Sequence, residues 1–160
     1  MNLYKDVFEI EAVVNGFESC EISKGAFSHR SHLTVAVWYL VKLNQHEATE
    51  RLRAGLLRFL DHHGVGREKY NETLTRFWLE CERSLINGLN GDPGLLETTN
   101  VVIEALADSR LPLEYYSADR LWSEEARAGW IQPDLKDFLV SLPIRRPVTL
   151  VEAAAWPANS

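Results

Sequence analysis

The sequence predicts an all-α protein, a single-domain up-down helical bundle of about five main helices. Apolar residues recur at intervals of three and four along successive stretches, which is the period of an amphipathic helix. Clusters of Gly, Asn and Pro, which break helices, separate these stretches. A chain of 160 residues is also a suitable length for one domain. These features favour one bundle over a sheet or a two-domain protein.

Residues 6–63 contain the first three predicted helices. In residues 6–19 the apolar positions begin at Val7 and follow a spacing of three, four and three. The second helix begins near Ser28 or Ser31, since either residue is a suitable N-cap, and ends at Asn44. The third helix begins near residue 45. It ends at residue 62 or 63, because Gly64 suits the left-handed position after a helix.

Helices four and five are predicted at residues 68–86 and 95–107, separated by a turn-rich segment. Beyond Pro112, residues 115–130 are rich in aromatic side chains and could either cover the core or close over one end of the bundle as a lid. Short helices are expected after Ser123 and over residues 133–140. We expect the bundle domain to end at residue 142, and residues 143–160, with three prolines, to form an extended or mobile tail.

The composition argues against several classes of protein. The formal charge is −6 and no basic stripe is present, which argues against nucleic-acid binding. No apolar run approaches the roughly 20 residues that a membrane-spanning helix requires. The first residues lack the pattern of a signal peptide, and Cys20 and Cys81 lie far apart, so we expect a cytoplasmic protein with free thiols.

All five histidines fall within residues 29–63, which suggests a site at one end of the bundle. If helices two, three and four alternate in direction, the start of helix two, the end of helix three and the start of helix four lie together. This arrangement would gather His29, His32, His63, Asn71 and Glu72.

Imidazoles and a carboxylate are the usual ligands of zinc, iron or manganese. The sequence therefore suggests a divalent metal held by His29, His32, His63 and Glu72. Glu72 could also act as a general base, with Asn71 and Tyr70 completing the catalytic residues. The pattern assigns no role to His46 or His62.

Two other interpretations of these residues remain open. The histidines could be structural, because histidines at helix ends often form caps or buried hydrogen bonds, and the zinc motif H-E-x-x-H is absent. Alternatively, two helix N-termini with nearby imidazoles could hold an anion such as a phosphate or a carboxylate.

Three segments also resemble a family of small all-helical bacterial proteins to which no activity is assigned. They contain the patterns F-x-H-x-x-H-L at residues 27–33, Y-N-E-T-L-T at residues 70–75 and E-A-R-x-G-W-x-x-P-D-L at residues 125–135. In that family a histidine commonly occupies the position of Asn71, so the resemblance implies three histidines and a glutamate at one end. This chain departs from the pattern at that position. The architecture is also loosely similar to metal-binding bundles of the DinB or hemerythrin-like type.

We therefore expect a metal-dependent enzyme that acts on a small molecule at the end of the bundle marked by His29 and His32. The alternative is a non-catalytic helical domain that binds a small molecule, an anion or another protein and whose histidines are structural. Neither hypothesis specifies the reaction or the oligomeric state.

Overall fold

The computed structural model describes residues 1–138, which form α-helices and 3-10 turns with no β-strand. The predicted all-α fold is therefore confirmed over these residues. The predicted domain end at residue 142 and the predicted tail, residues 143–160, lie outside the described residues. The α-helices, in chain order, are α1 Val7–Glu18, α2 His29–Lys42, α3 Gln45–His62, α4 Glu72–Asn87, α5 Gly94–Ala105, α6 Ala118–Leu121 and α7 Glu124–Ala128.

Short polar side chains fix where five of the helices begin. In each case the side-chain oxygen accepts a hydrogen bond from a backbone N–H three residues further on, which satisfies one of the unpaired donors of the first turn. These N-caps are Asp6, Ser28, Asn44, Asn71 and Ser123. Of the two candidate caps for α2, the structure uses Ser28.

Helix α4 begins four residues later than the sequence predicts. Asn71 is extended, with φ −133° and ψ 108°, and its side chain caps the helix. The preceding residues Arg67–Lys69 form a separate 3-10 turn. The helix predicted over residues 133–140 is also wrong for residues 133–137, which are not helical, and the structure adds the short helix α6.

The reversal between α3 and α4 depends on Gly64. Its φ of +67° lies in the left-handed region, which glycine adopts without the strain that a Cβ would cause. The Val65 N–H donates to the Leu60 carbonyl at 2.9 Å, and the Gly64 N–H donates to the Asp61 carbonyl at 3.2 Å. These are the two bonds of a Schellman motif, which ends the helix and turns the chain back.

Helix α2 is the central element, since it packs against α1, α3, α4 and α5. The consecutive residues Val35, Ala36 and Val37 are all buried, which requires neighbours on several sides of the helix. None of the helices within residues 1–138 combines the length and the hydropathy needed to cross a lipid bilayer.

Candidate functional site

A cavity of about 750 Å³ lies at the histidine end of the bundle, bordered by α2, α3 and α4. Most of its wall is apolar, and the residues that form this part are Phe27, Leu33, Ala36, Leu52, Leu56, Phe59, Leu60, Val65, Leu74, Trp78, Pro112, Leu113, Leu121 and Trp122. The polar and charged residues of the wall are Lys24, His29, His32, Lys69, Tyr70, Asn71, Thr75, Glu82, Ser109 and Arg110. The cavity thus combines a large apolar surface with a few polar groups.

His29 lines the cavity from the first turn of α2. Its Nε2 lies 2.8 Å from the Leu106 carbonyl oxygen. Because a carbonyl oxygen can only accept, Nε2 carries the hydrogen and donates the hydrogen bond. The ring packs at 4.7 Å from the ring of Trp78. Burial lowers the pKa of His29, and the bond to Leu106 opposes that shift in part. With Nε2 engaged, Nδ1 is the nitrogen that can accept a hydrogen bond or bind a metal.

His32 lies one turn further along α2, also on the cavity wall. The residue is exposed by its accessible surface and belongs to the cavity wall, although protein atoms are densely packed around the ring. It packs at 4.3 Å from the ring of Phe27 and has no hydrogen-bond partner among residues 1–138. Burial lowers the pKa of His32 to about 4, and the nearby His29 contributes to the shift. At neutral pH the ring is therefore uncharged and can donate or accept one hydrogen bond within the cavity.

His63 caps the end of α3 but is not part of the cavity wall. Its ring packs at 4.4 Å from Phe59 and at 5.0 Å from His62. Its Nε2 is buried with no hydrogen-bond partner in the described part of the chain. His46 is exposed near the start of α3, about 24 Å along that helix from His62 at 1.5 Å per residue.

Glu72 is held in an ion pair at the start of α4. Its two carboxylate oxygens accept hydrogen bonds from Arg53 at 2.8 and 2.5 Å, and the Tyr70 hydroxyl donates to Oε1 at 2.6 Å. Although burial opposes ionisation, the bonds from Arg53 and Tyr70 keep the pKa of Glu72 below its ordinary value. The carboxylate therefore has three donors within the protein and is not part of the cavity wall.

The other predicted catalytic residues, Tyr70 and Asn71, do line the cavity. The Tyr70 hydroxyl donates its hydrogen bond to Glu72. Burial raises the pKa of Tyr70 above its ordinary value. The Asn71 amide donates to the Leu121 carbonyl at 2.8 Å, while its oxygen caps α4. Asn71 thereby fixes one wall of the cavity to α4.

The structure therefore brings His29, His32, Tyr70 and Asn71 to one cavity and directs the carboxylate of Glu72 to Arg53. No group of three or more His, Cys, Asp or Glu side chains within residues 1–138 is arranged to hold a metal ion. The four-ligand metal site stays a prediction. Of its four residues, the imidazoles of His29 and His32 lie on the cavity wall.

The aromatic segment of residues 115–130 belongs mainly to the core. Tyr115 and Tyr116 are fully buried, whereas Leu121 and Trp122 form part of the cavity wall. The Thr73 hydroxyl donates to the Gly129 carbonyl at 2.6 Å, a second bond that holds this segment against α4. The segment therefore both covers the core and closes one side of the cavity.

Glu82 is a wall residue that the sequence analysis missed. It is 0% exposed, and neither carboxyl oxygen has a hydrogen-bond partner within the described residues. Burial raises the pKa of Glu82 well above its ordinary value. The sequence held a signal, because Glu82 lies four residues after Trp78 and three before Leu85, on the apolar stripe of α4.

The rim of the cavity is basic, in contrast with the net negative charge of the chain. Lys24, Lys69 and Arg110 are exposed and belong to the wall. Arg110 is paired with Asp108 at 3.3 Å. Cations at the rim agree with the anion-binding alternative, although they are accessible to solvent and are screened by salt.

Comparisons with protein-family models, curated proteins and solved structures give no match. The resemblance to the small helical bacterial proteins therefore stays a prediction.

Proposed function

We propose that this domain binds a small, mostly apolar organic molecule in the cavity at the histidine end of the bundle. The observation that carries the proposal is the cavity itself, whose volume of about 750 Å³ lies within the roughly 300–1,000 Å³ typical of ligand pockets. Packed helical cores contain few voids larger than a water molecule. A cavity of this size between three main helices therefore supports a binding function.

The distribution of charged and apolar residues along the cavity indicates how a bound ligand would be oriented. Three exposed cations, Lys24, Lys69 and Arg110, mark the rim. Trp122 and Leu113, which are 47% and 39% exposed, add apolar surface to the wall. A ligand with an apolar body would bury it between the helices, against the apolar part of the wall.

His32 is suited to orienting such a ligand. Its imidazole faces the cavity and makes no hydrogen bond within residues 1–138. A neutral ring can either donate to a ligand oxygen or accept from a ligand hydroxyl. A small number of placed polar groups in an apolar pocket is the usual source of orientation and specificity.

The test is to fill the cavity. Leu56 is partly buried and lies on the wall, so Leu56→Trp should occupy part of the volume. Val41→Trp is the matched control, because Val41 is 41% exposed and lies outside the wall. With decanol as the probe, isothermal titration calorimetry should show affinity reduced at least about tenfold in Leu56→Trp and unchanged in Val41→Trp. Equal affinities in the two variants, or no binding to the unmodified protein, would contradict the proposal.

A metal-dependent enzyme is the second candidate. It is supported by the bond from His29 Nε2 to the Leu106 carbonyl, since metal-binding histidines commonly donate their other nitrogen to a backbone carbonyl. His32, adjacent and without a hydrogen-bond partner in the described residues, would be a second ligand. Metal analysis of the purified protein tests this candidate. Stoichiometric zinc, iron or manganese that is lost in His32→Ala would support it, and a metal-free protein that binds decanol would favour the first proposal.

A further inference from the structure

Among residues 1–138, Glu82 has no hydrogen-bond partner that could stabilise its charge. Both carboxyl oxygens are buried, and no described residue donates a hydrogen bond to them. The adjacent Arg83 is engaged elsewhere, because it donates to Gln45 at 2.9 Å and to the Leu40 carbonyl at 3.0 Å. A buried carboxyl group without a partner is destabilising, so its presence on a cavity wall requires an explanation.

The position of Glu82 places it far from the rim. Asn71, Thr75, Trp78 and Glu82 follow a spacing of four, three and four along α4, and all four belong to the cavity wall. Eleven residues at 1.5 Å each separate Asn71 from Glu82 by about 16 Å along the helix. Glu82 is thus the last residue of α4 that the cavity reaches, about three helical turns beyond the histidine end.

We propose that the cavity takes an elongated lipophilic amine and that Glu82 recognises its basic nitrogen. This inference rests on the proposed function and specifies the class of ligand. An amine offers several N–H donors, so it can satisfy both carboxyl oxygens, whereas an alcohol offers one donor and a carboxylate offers none. The apolar wall accepts the hydrocarbon part, and Trp78, one turn from Glu82 on the same stripe, supplies an aromatic ring suited to a cation.

The protonation of Glu82 is consistent with this role. Because burial raises the pKa of Glu82, the group is more readily protonated than an ordinary carboxyl group. When an ammonium ion binds, the Glu82 carboxylate pairs with the cation, and a proton held by the carboxyl group passes to solvent. The carboxyl oxygens have no accessible surface in this structure. Contact with a ligand therefore requires the Glu82 side chain to rotate towards the cavity.

The experiment compares three probes that share one alkyl chain: decylamine, decanol and decanoate. Their binding is measured by isothermal titration calorimetry at neutral pH to the unmodified protein, to Glu82→Gln and to the control Glu80→Gln. Glu80 is on the same helix but is exposed. We expect decylamine to bind the unmodified protein at least about tenfold more tightly than decanol. Glu82→Gln should weaken decylamine binding by about 10- to 100-fold, which is the effect expected for loss of a hydrogen bond to a charged group. Glu80→Gln should leave all three affinities unchanged.

Other outcomes separate the two proposals. In one outcome, decanol binds and decylamine binds no more tightly than decanol. In another, decanol binds and decylamine binds Glu82→Gln as tightly as the unmodified protein. In either case the amine inference is wrong and the proposed function stands. Decanoate as the tightest probe, weakened in Lys24→Ala and Lys69→Ala, would assign recognition to the basic rim and overturn the inference. If no probe binds, the proposed function fails as well. Glu82→Met, checked for folding by circular dichroism, repeats the measurement with a side chain that lacks both oxygens.

Discussion

Two faces of α4 differ in how they are packed. On one face Phe77 and Cys81 are fully buried, and the Phe77 ring lies 5.4 Å from Tyr115 and 5.1 Å from Phe138. The other face, which includes Trp78 and Glu82, borders the cavity. One helix therefore supplies both a close-packed aromatic cluster and the wall of a cavity. Stability should depend mainly on the first face, and ligand binding on the second.

The largest expected effect tests the packed face. Phe77→Ala should lower the free energy of unfolding by about 3–5 kcal/mol, because it removes a buried ring and leaves a void. Leu56→Ala, on the cavity wall, should lower it by less than about 2 kcal/mol, because part of that side chain is already accessible. Urea unfolding followed by circular dichroism measures both values. Equal losses would show that the cavity side is packed as tightly as the aromatic side.

The second prediction concerns the role of Glu72. Glu72→Gln should lower the free energy of unfolding by about 1–3 kcal/mol, since it weakens the hydrogen bonds from Arg53 and Tyr70 to a charged group. Glu50→Gln is the control, because Glu50 pairs with the same arginine but is exposed, and its loss should stay below about 1 kcal/mol. Decanol affinity should not change in either variant. A variant Glu72→Gln that keeps its stability but loses a bound metal would instead support the predicted role of Glu72 as a metal ligand.

Local sequence signals predicted much of the fold. Ser28 and Ser123 are caps that act within one turn, and Gly64 ends α3 through its own backbone. These features depend on residues that are close in sequence, so the sequence alone could predict them. The start of α4 was placed too early because Arg67–Lys69 has helical composition, and only the cap at Asn71 separates it from the helix.

The candidate site was harder to predict because its partners are distant in sequence. The alternating directions of the helices predicted that His29, His32, His63, Asn71 and Glu72 would gather at one end of the bundle. The cavity wall includes His29, His32 and Asn71 but not His63 or Glu72. The partner of Glu72 is Arg53, nineteen positions away on α3, and no spacing rule identifies such a pair. Glu82 had a visible signal on the apolar stripe, but a cavity beside it depends on how three helices pack.

The third prediction uses the raised pKa of Glu82. A carboxyl group whose pKa is higher in the folded than in the unfolded state contributes stability at low pH, and that contribution is lost as the pH rises through the folded pKa. Glu82→Gln should therefore be as stable as the unmodified protein at a pH near 4.5, the ordinary pKa of a glutamate side chain. At neutral pH the variant should be the more stable of the two. The expected difference at neutral pH is about 1 kcal/mol or more, on the scale of an unsatisfied buried group. Thermal unfolding of both proteins across this pH range measures it, and a constant difference would contradict a titrating Glu82.

The smallest expected effect concerns His32 and acid. Its pKa falls from the ordinary value of 6.5 to about 4 in the folded protein, so between these values the unfolded chain binds more protons. Stability should therefore be complete above about pH 6.5 and decline as the pH falls towards about 4. Because the ring is accessible from the cavity, we expect a loss of only about 1 kcal/mol. His32→Gln should remove this part of the acid sensitivity, whereas His46→Gln, outside the cavity wall, should not. Identical acid profiles for the two variants would show that His32 is hydrated in the folded state, as an open cavity would allow, and that the cavity wall does not control its charge.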